Sequence, residues 1–217
     1  TVVKHPAASG FPDTAAVEID AEENPELIPG RLHSAGVLGE GKLDWKRKFF
    51  RSSTGEIELD AATGTMKIVS PRSEVLVFCG AGSLSGKRFS ATNQGKFALL
   101  SLSSLDELPV EKASRLLLFH LTDCCPAGTK FSRRPKLWLE KEGSGPLLAR
   151  RGCADVTLQL GKGEFFLYAV DLSGRRIGTV PMRQTADGLW CAALDTFAMK
   201  QPCFLYEIVR RETGGKN

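Results

Sequence analysis

Short apolar runs, each about one strand long and each stopped by a turn signal, constrain this chain more than any other feature. Between residues 165 and 209 it reads Phe165-Phe166-Leu167-Tyr168-Ala169-Val170-Asp171-Leu172-Ser173-Gly174, then Val180-Pro181, then Asp187-Gly188-Leu189-Trp190, closing on Leu205-Tyr206-Glu207-Ile208-Val209. Ser-Gly, Asp-Gly and Pro end the runs, the punctuation of antiparallel β structure. A helix needs apolar spacing of three and four sustained over about ten residues, and no segment shows it convincingly.

The same reading extends upstream. Gly55–Asp60 alternates with period two, Ala61–Gly64 turns, and Thr65–Val69 returns, which describes a hairpin. Further strands are expected at Glu74–Cys79, Lys96–Leu102, Arg115–Asp123, Lys136–Glu140, Pro146–Arg150, Ala154–Gln159, Phe165–Asp171, Arg176–Met182, Leu189–Leu194 and Phe204–Arg210. Leu102–Lys112 has room for one short helical turn, and the Gly-rich Gly80–Gly86 reads as a flexible loop. The expected fold is all-β, an antiparallel β-sandwich (jelly-roll-like) with few or no helices. Residues 31–212 form the sandwich, 1–30 an N-terminal extension or first edge strand containing Val17-Glu18-Ile19, and 213–217 a flexible tail.

With 217 residues of which 42% are hydrophobic, the chain can bury a real core. No run of 18 apolar residues occurs, so no membrane-spanning segment is expected. No basic segment followed by an apolar one opens the chain at Thr1, so the signal of an exported parent would lie outside this sequence. The net charge of +4 is mild and no nucleic-acid motif is present, so nucleic acid is not an expected partner. Charge is unevenly spread: residues 130–151 carry seven basic residues against Glu140 and Glu142. A solvated strand–loop face explains most such stretches. The six cysteines (Cys79, Cys124, Cys125, Cys153, Cys191, Cys203) are expected to be mostly reduced, buried thiols.

Catalytic patterns are weak. Glu56, Glu58 and Asp60 alternate along one strand, and periodicity places all three on the hairpin's solvated outer face. Asp106, Asp171 and Asp187 occupy turn contexts, where a short carboxylate bonds local backbone amides. His5, His33 and His120 are far apart, and His120, within Leu117–Leu121, reads as a satisfied core histidine. Cys124-Cys125 lacks the spacing of metal or redox pairs, so no metal or other cofactor is expected.

Sugar rings offer apolar faces that stack on flat aromatics, while their hydroxyls seek planar polar partners. The candidate ligand-binding residues are Trp45, flanked by Asp44 and Lys46-Arg47, then Phe131 beside Arg133 and Arg134, and Trp138. Trp138 and Trp190 alternate with apolar neighbours, which fits a core position as well as a platform. Arg133 and Arg134 favour an acidic or sulfated sugar, because guanidinium pairs bidentately with such anions.

Several short motifs follow one another in a fixed order over residues 50–210. They are Ser53-Thr54-Gly55-Glu56-Ile57 with Leu59-Asp60, Ile68-Val69-Ser70-Pro71-Arg72-Ser73, Phe97–Asp106, Ser114-Arg115-Leu116-Leu117-Leu118, Gly145-Pro146-Leu147-Leu148, and the Tyr168–Arg176 and Tyr206–Val209 segments. This order resembles the C-terminal β-sandwich accessory domain of bacterial multidomain glycoside hydrolases. The loop Thr122–Phe131 departs from the family's pattern, and Leu59 stands where a Trp is common. The resemblance implies a non-catalytic domain that binds polysaccharide or oligosaccharide, an anionic one included. It also implies a catalytic domain in the same polypeptide as partner, and a secreted or cell-surface bacterial location. Two other readings stay open: a structural domain that packs on the catalytic domain without touching glycan, and a stand-alone carbohydrate-active enzyme.

Overall fold

The computed structural model describes residues 2–4, 15–17, 28–36, 39, 41–44, 46–132 and 138–211, and the chain divides into two compact units, 1–63 and 64–217. In the first unit, β1 (Val2–Lys4) pairs antiparallel with β2 (Ala15–Val17). The short helix α1 (Ile28–Ser34) was not legible as a helix, since seven residues cannot display the apolar period that signals one. Pro29 stands in its first turn, where a missing N–H costs nothing, and Gly36 ends it at φ +67°. Strands β3 (Leu43–Asp44), β4 (Phe49–Arg51) and β5 (Ile57–Asp60) form an antiparallel meander with Phe50 opposite both Leu43 and Leu59.

That meander corrects the expected shared outer face for the acidic residues. Glu56 precedes β5, while Glu58 and Asp60 are half-buried and Ile57 and Leu59 are exposed. Polar partners explain the inversion. Arg51 faces Glu58 across the strand pair at 2.6 Å, and Asp60 Oδ1 accepts the N–H groups of Ala62 and Thr63 at 3.0 and 3.1 Å.

The second unit is an antiparallel two-sheet sandwich. Its strands are β6 (Thr65–Val69), β7 (Ser73–Phe78), β8 (Gly82–Ser85), β9 (Phe89–Asn93), β10 (Ala98–Ser104), β11 (Arg115–Leu121), β12 (Cys124–Pro126), β13 (Lys130–Phe131), β14 (Leu139–Lys141), β15 (Leu147–Ala149), β16 (Cys153–Leu158), β17 (Glu164–Val170), β18 (Arg176–Val180), β19 (Arg183–Gln184), β20 (Trp190–Asp195) and β21 (Leu205–Arg211). One sheet runs β18-β17-β21-β11-β10-β7-β6 and the other β19-β20-β16-β9-β8. Alternation explains the layering. Leu76 and Phe78 of β7, Leu116 and Leu118 of β11, and Tyr206 and Ile208 of β21 point inward from the first sheet. Phe89, Val156, Leu158 and Leu194 meet them from the second. Each fully buried Leu or Phe contributes about 1.5–3 kcal/mol relative to exposure.

Two local expectations are corrected. Gly82–Ser85 is an edge strand rather than a flexible loop, because its backbone pairs with β9 and Ser83 meets Thr92 hydroxyl to hydroxyl at 2.8 Å. Leu105–Lys112 contains turns and no helix. Asp106 closes that loop instead, accepting from Ser104 Oγ at 2.8 Å and Ser114 Oγ at 2.7 Å.

Candidate functional site

Residues 122–132 and 138–150, between β11 and β16, form a β arm of two successive strand pairs separate from the two sandwich sheets. At its base Thr122 Oγ1 donates to Arg150 O at 2.5 Å, and Arg150 N donates to Asp123 O at 2.9 Å. Arg150 Nε bonds Asp123 Oδ2 at 3.1 Å, and its Nη2 reaches Phe97 O on the sandwich. Next, β12 pairs with β15, Cys125 opposite Leu148 and Pro126 opposite Leu147. Further out, β13 pairs with β14, Lys130 opposite Lys141 and Phe131 opposite Leu139, with a register shift between the two pairs. Ser132 and Trp138 continue the ladder: Ser132 N donates to Trp138 O at 2.9 Å, and Trp138 N to Ser132 Oγ at 3.3 Å.

Of the residues singled out for ligand binding, the structure brings Phe131 and Trp138 onto this one hairpin. Trp138 is 74% exposed and Phe131 38%. Trp45, Arg133 and Arg134 lie outside the described residues. Trp190, alike in its local pattern, is 8% exposed and belongs to the core. The exposed apolar residues Leu139, Leu147 and Leu148 on the same arm were not singled out from the sequence. Strand-length runs there read as sandwich strands, whose alternate residues would be buried.

The first sheet's outer face is apolar over two cross-strand rows. One row runs Val170, Leu205, Phe119, Ser101, Val75, Ile68, and the next Leu121, Leu99, Val77, Met66. The second sheet's outer face carries Ser90, Thr92, Asp155, Thr157 and Ala193 instead. At one end of the apolar face Glu207 is clamped by Arg115 Nη2 at 2.6 Å and Arg176 Nε at 2.7 Å, and the Arg176 guanidinium lies 4.1 Å from the centroid of the Tyr168 ring. Burial pushes the Glu207 carboxyl up, but its bonds to Arg176 and Arg115 outweigh this and hold it below its ordinary value.

Beside this clamp a groove of about 310 Å³ is lined by Leu105, Leu117, Leu172, Leu205, Asp171 and Glu207 among others. Its two carboxylates do not make an acid–base pair. Hydrogen bonds from Ser173 and from the Arg175 backbone, against a small burial penalty, lower Asp171 to about 2, and Glu207 is doubly ion-paired. Glycoside hydrolysis needs one carboxylic acid with a raised pKa. Both of these are held ionised.

His120 is fully buried, as expected, but it is not satisfied: neither ring nitrogen has a hydrogen-bond partner among the described residues. Burial and the nearby Arg150 cation lower it to about 4, against the opposing pull of Asp195. Gly152 packs so close that a Cβ there would stand 2.8 Å from His120 Nε2. All six cysteines are free thiols, but the expected burial fails for Cys79 and Cys124, which are exposed at strand ends. Among the described residues no group of three His, Cys, Asp or Glu side chains could hold a metal ion. Comparison with family models, with curated proteins and with solved structures finds no match for the chain.

Proposed function

We propose that this chain is a non-catalytic carbohydrate-binding accessory domain of a polysaccharide-degrading glycoside hydrolase, and that the β arm is where it meets glycan. One observation carries the reading: Trp138 keeps 74% of its surface in water on a hairpin that holds its backbone by two hydrogen bonds. With Leu139, Leu147 and Leu148 also exposed on the arm, the ring adds to apolar surface of the kind that marks an interaction site, and the face of a sugar ring is a fitting cover for it. The collinear motifs over residues 50–210 supply the link to glycoside hydrolases. The partners on this reading are a polysaccharide or oligosaccharide and the catalytic domain of the same polypeptide, in a secreted or cell-surface bacterial protein. Tethering then raises the catalytic domain's effective substrate concentration.

Affinity electrophoresis of the whole chain through gels containing neutral, uronic and sulfated polysaccharides tests it. Retardation by at least one glycan, lost in Trp138→Ala, is expected. Unchanged mobility in every gel overturns it.

A second reading is favoured by a separate observation, the apolar outer face built by Phe119, Leu205, Val75, Leu99 and Val77 opposite a polar outer face on the second sheet. A structural domain packing on its catalytic neighbour needs such a face. Limited proteolysis of the whole parent polypeptide decides. With Phe119→Lys and Leu99→Lys, a docked domain is released after cleavage of the linker, whereas a merely tethered one behaves like the wild type.

A further inference from the structure

We infer that the ligand of the β arm is an anionic polysaccharide, bearing carboxylate or sulfate groups; the inference rests on the glycan-binding reading above. The observation is the register of the β13–β14 hairpin. Lys130 stands directly opposite Lys141. Like charges facing each other across an antiparallel pair destabilise it. Neither lysine has an ion-pair partner among the described residues. The strands alternate, so Ser132 shares a face with Lys130, and its partner Trp138 lies on that face too. Phe131 and Leu139 take the other face. The hairpin thus joins an exposed ring to two ammonium groups on one surface.

A neutral sugar has no use for this repulsive pair. A polyanion relieves it: its acidic groups neutralise Lys130 and Lys141 while a sugar face covers Trp138. The ligand's charge also speeds its encounter with the arm, an effect that salt suppresses.

The test uses the full chain in gels containing polygalacturonate, dextran sulfate, neutral dextran or neutral galactomannan, with a single-stranded DNA oligonucleotide as a fifth probe in solution. Polygalacturonate or dextran sulfate is expected to retard the chain well beyond either neutral polymer. Lys130→Gln/Lys141→Gln is expected to weaken that retardation by roughly fivefold, and Trp138→Ala by roughly five- to tenfold, the scale of one ring-stacking contact. Lys87→Gln/Lys162→Gln removes the same charge at the far end of the sandwich and is expected to leave it unchanged. Retardation by a neutral polymer that ignores Lys130→Gln/Lys141→Gln overturns the anionic assignment and leaves glycan binding standing. An equal loss in the control variant reduces the effect to net charge and also overturns it. Binding of the oligonucleotide as tight as that of the acidic glycans assigns the face to stacked bases instead. If the lysines serve only to guard an exposed strand edge, their removal costs solubility and leaves binding intact. Unchanged mobility in every gel overturns the glycan-binding reading itself.

Discussion

Phe165 of β17 and Trp190 of β20 meet edge to face between the two sheets, with ring centroids 5.8 Å apart and planes at 71°. The contact pins the first sheet to the second through two of the largest side chains in the core. Trp190 Nε1 has no hydrogen-bond partner among the described residues, so packing alone holds the indole there. Trp190→Ala is therefore expected to lower unfolding stability by about 3–5 kcal/mol, the range for deleting a buried aromatic. Urea denaturation followed by far-UV circular dichroism measures it. A loss below about 1 kcal/mol would show that the ring is not part of the core.

Glu74 makes a second long-range tie. Its carboxylate is buried and accepts three successive backbone N–H groups, from Lys87 at 2.9 Å, Arg88 at 2.8 Å and Phe89 at 3.2 Å. It thereby anchors the β8–β9 turn to β7. Gly86 belongs to the same arrangement, since a Cβ there would run into the Glu74 carboxylate. Glu74→Gln turns one acceptor oxygen into a donor that faces other donors. The expected cost is about 1–3 kcal/mol, read from thermal or urea unfolding. An unchanged midpoint would mean that solvent satisfies the turn equally well.

Strands with one apolar face were legible because burial follows a period of two: β7 and β11 fall within one or two residues of expectation. Local sequence could not separate Trp138 from Trp190, since both alternate with apolar neighbours. Register separates them. Trp190 lies opposite Leu158 and Gln184 in the second sheet, whereas Trp138 lies opposite Ser132 on an arm. The arm is not legible locally: the runs near 136–140 and 146–150 have the length and composition of sandwich strands, and nothing in them says that their partners are the neighbouring segments 130–131 and 124–126 rather than a sheet. The acidic face of β5 failed differently: cross-strand Arg51 and the turn amides after Asp60 outweigh simple alternation there.

His120 gives the fold an acid-sensitive point. Its pKa falls from about 6.5 in the unfolded chain to about 4 in the folded one. Between those values the unfolded chain binds more protons, so stability falls as pH drops from about 6.5 towards 4 and is level above that window. The loss is on the order of 3 kcal/mol. Asp171 and Glu207, whose folded values are depressed, keep their contribution above the ordinary carboxylate range and lose it only at lower pH. Urea midpoints at pH 7, 6, 5 and 4.5 are expected to decline in the wild type and to flatten in His120→Leu. A variant with the wild-type slope would assign the decline to other groups.

Trp138→Ala has the opposite character. With its ring largely in solvent, the substitution is expected to change unfolding stability by no more than about 0.5 kcal/mol, as for surface positions generally. The arm's backbone bonds between Ser132 and Trp138 survive it, because they use main-chain groups and the Ser132 hydroxyl. Acrylamide quenching reports the same fact optically: Trp138→Ala removes readily quenched emission, whereas Trp190→Ala removes protected emission. This pairing makes loss of glycan retardation in Trp138→Ala interpretable as lost contact rather than lost fold. If Trp138→Ala instead destabilises the chain by more than about 1 kcal/mol, the ring is part of a packed interface and the arm is structural.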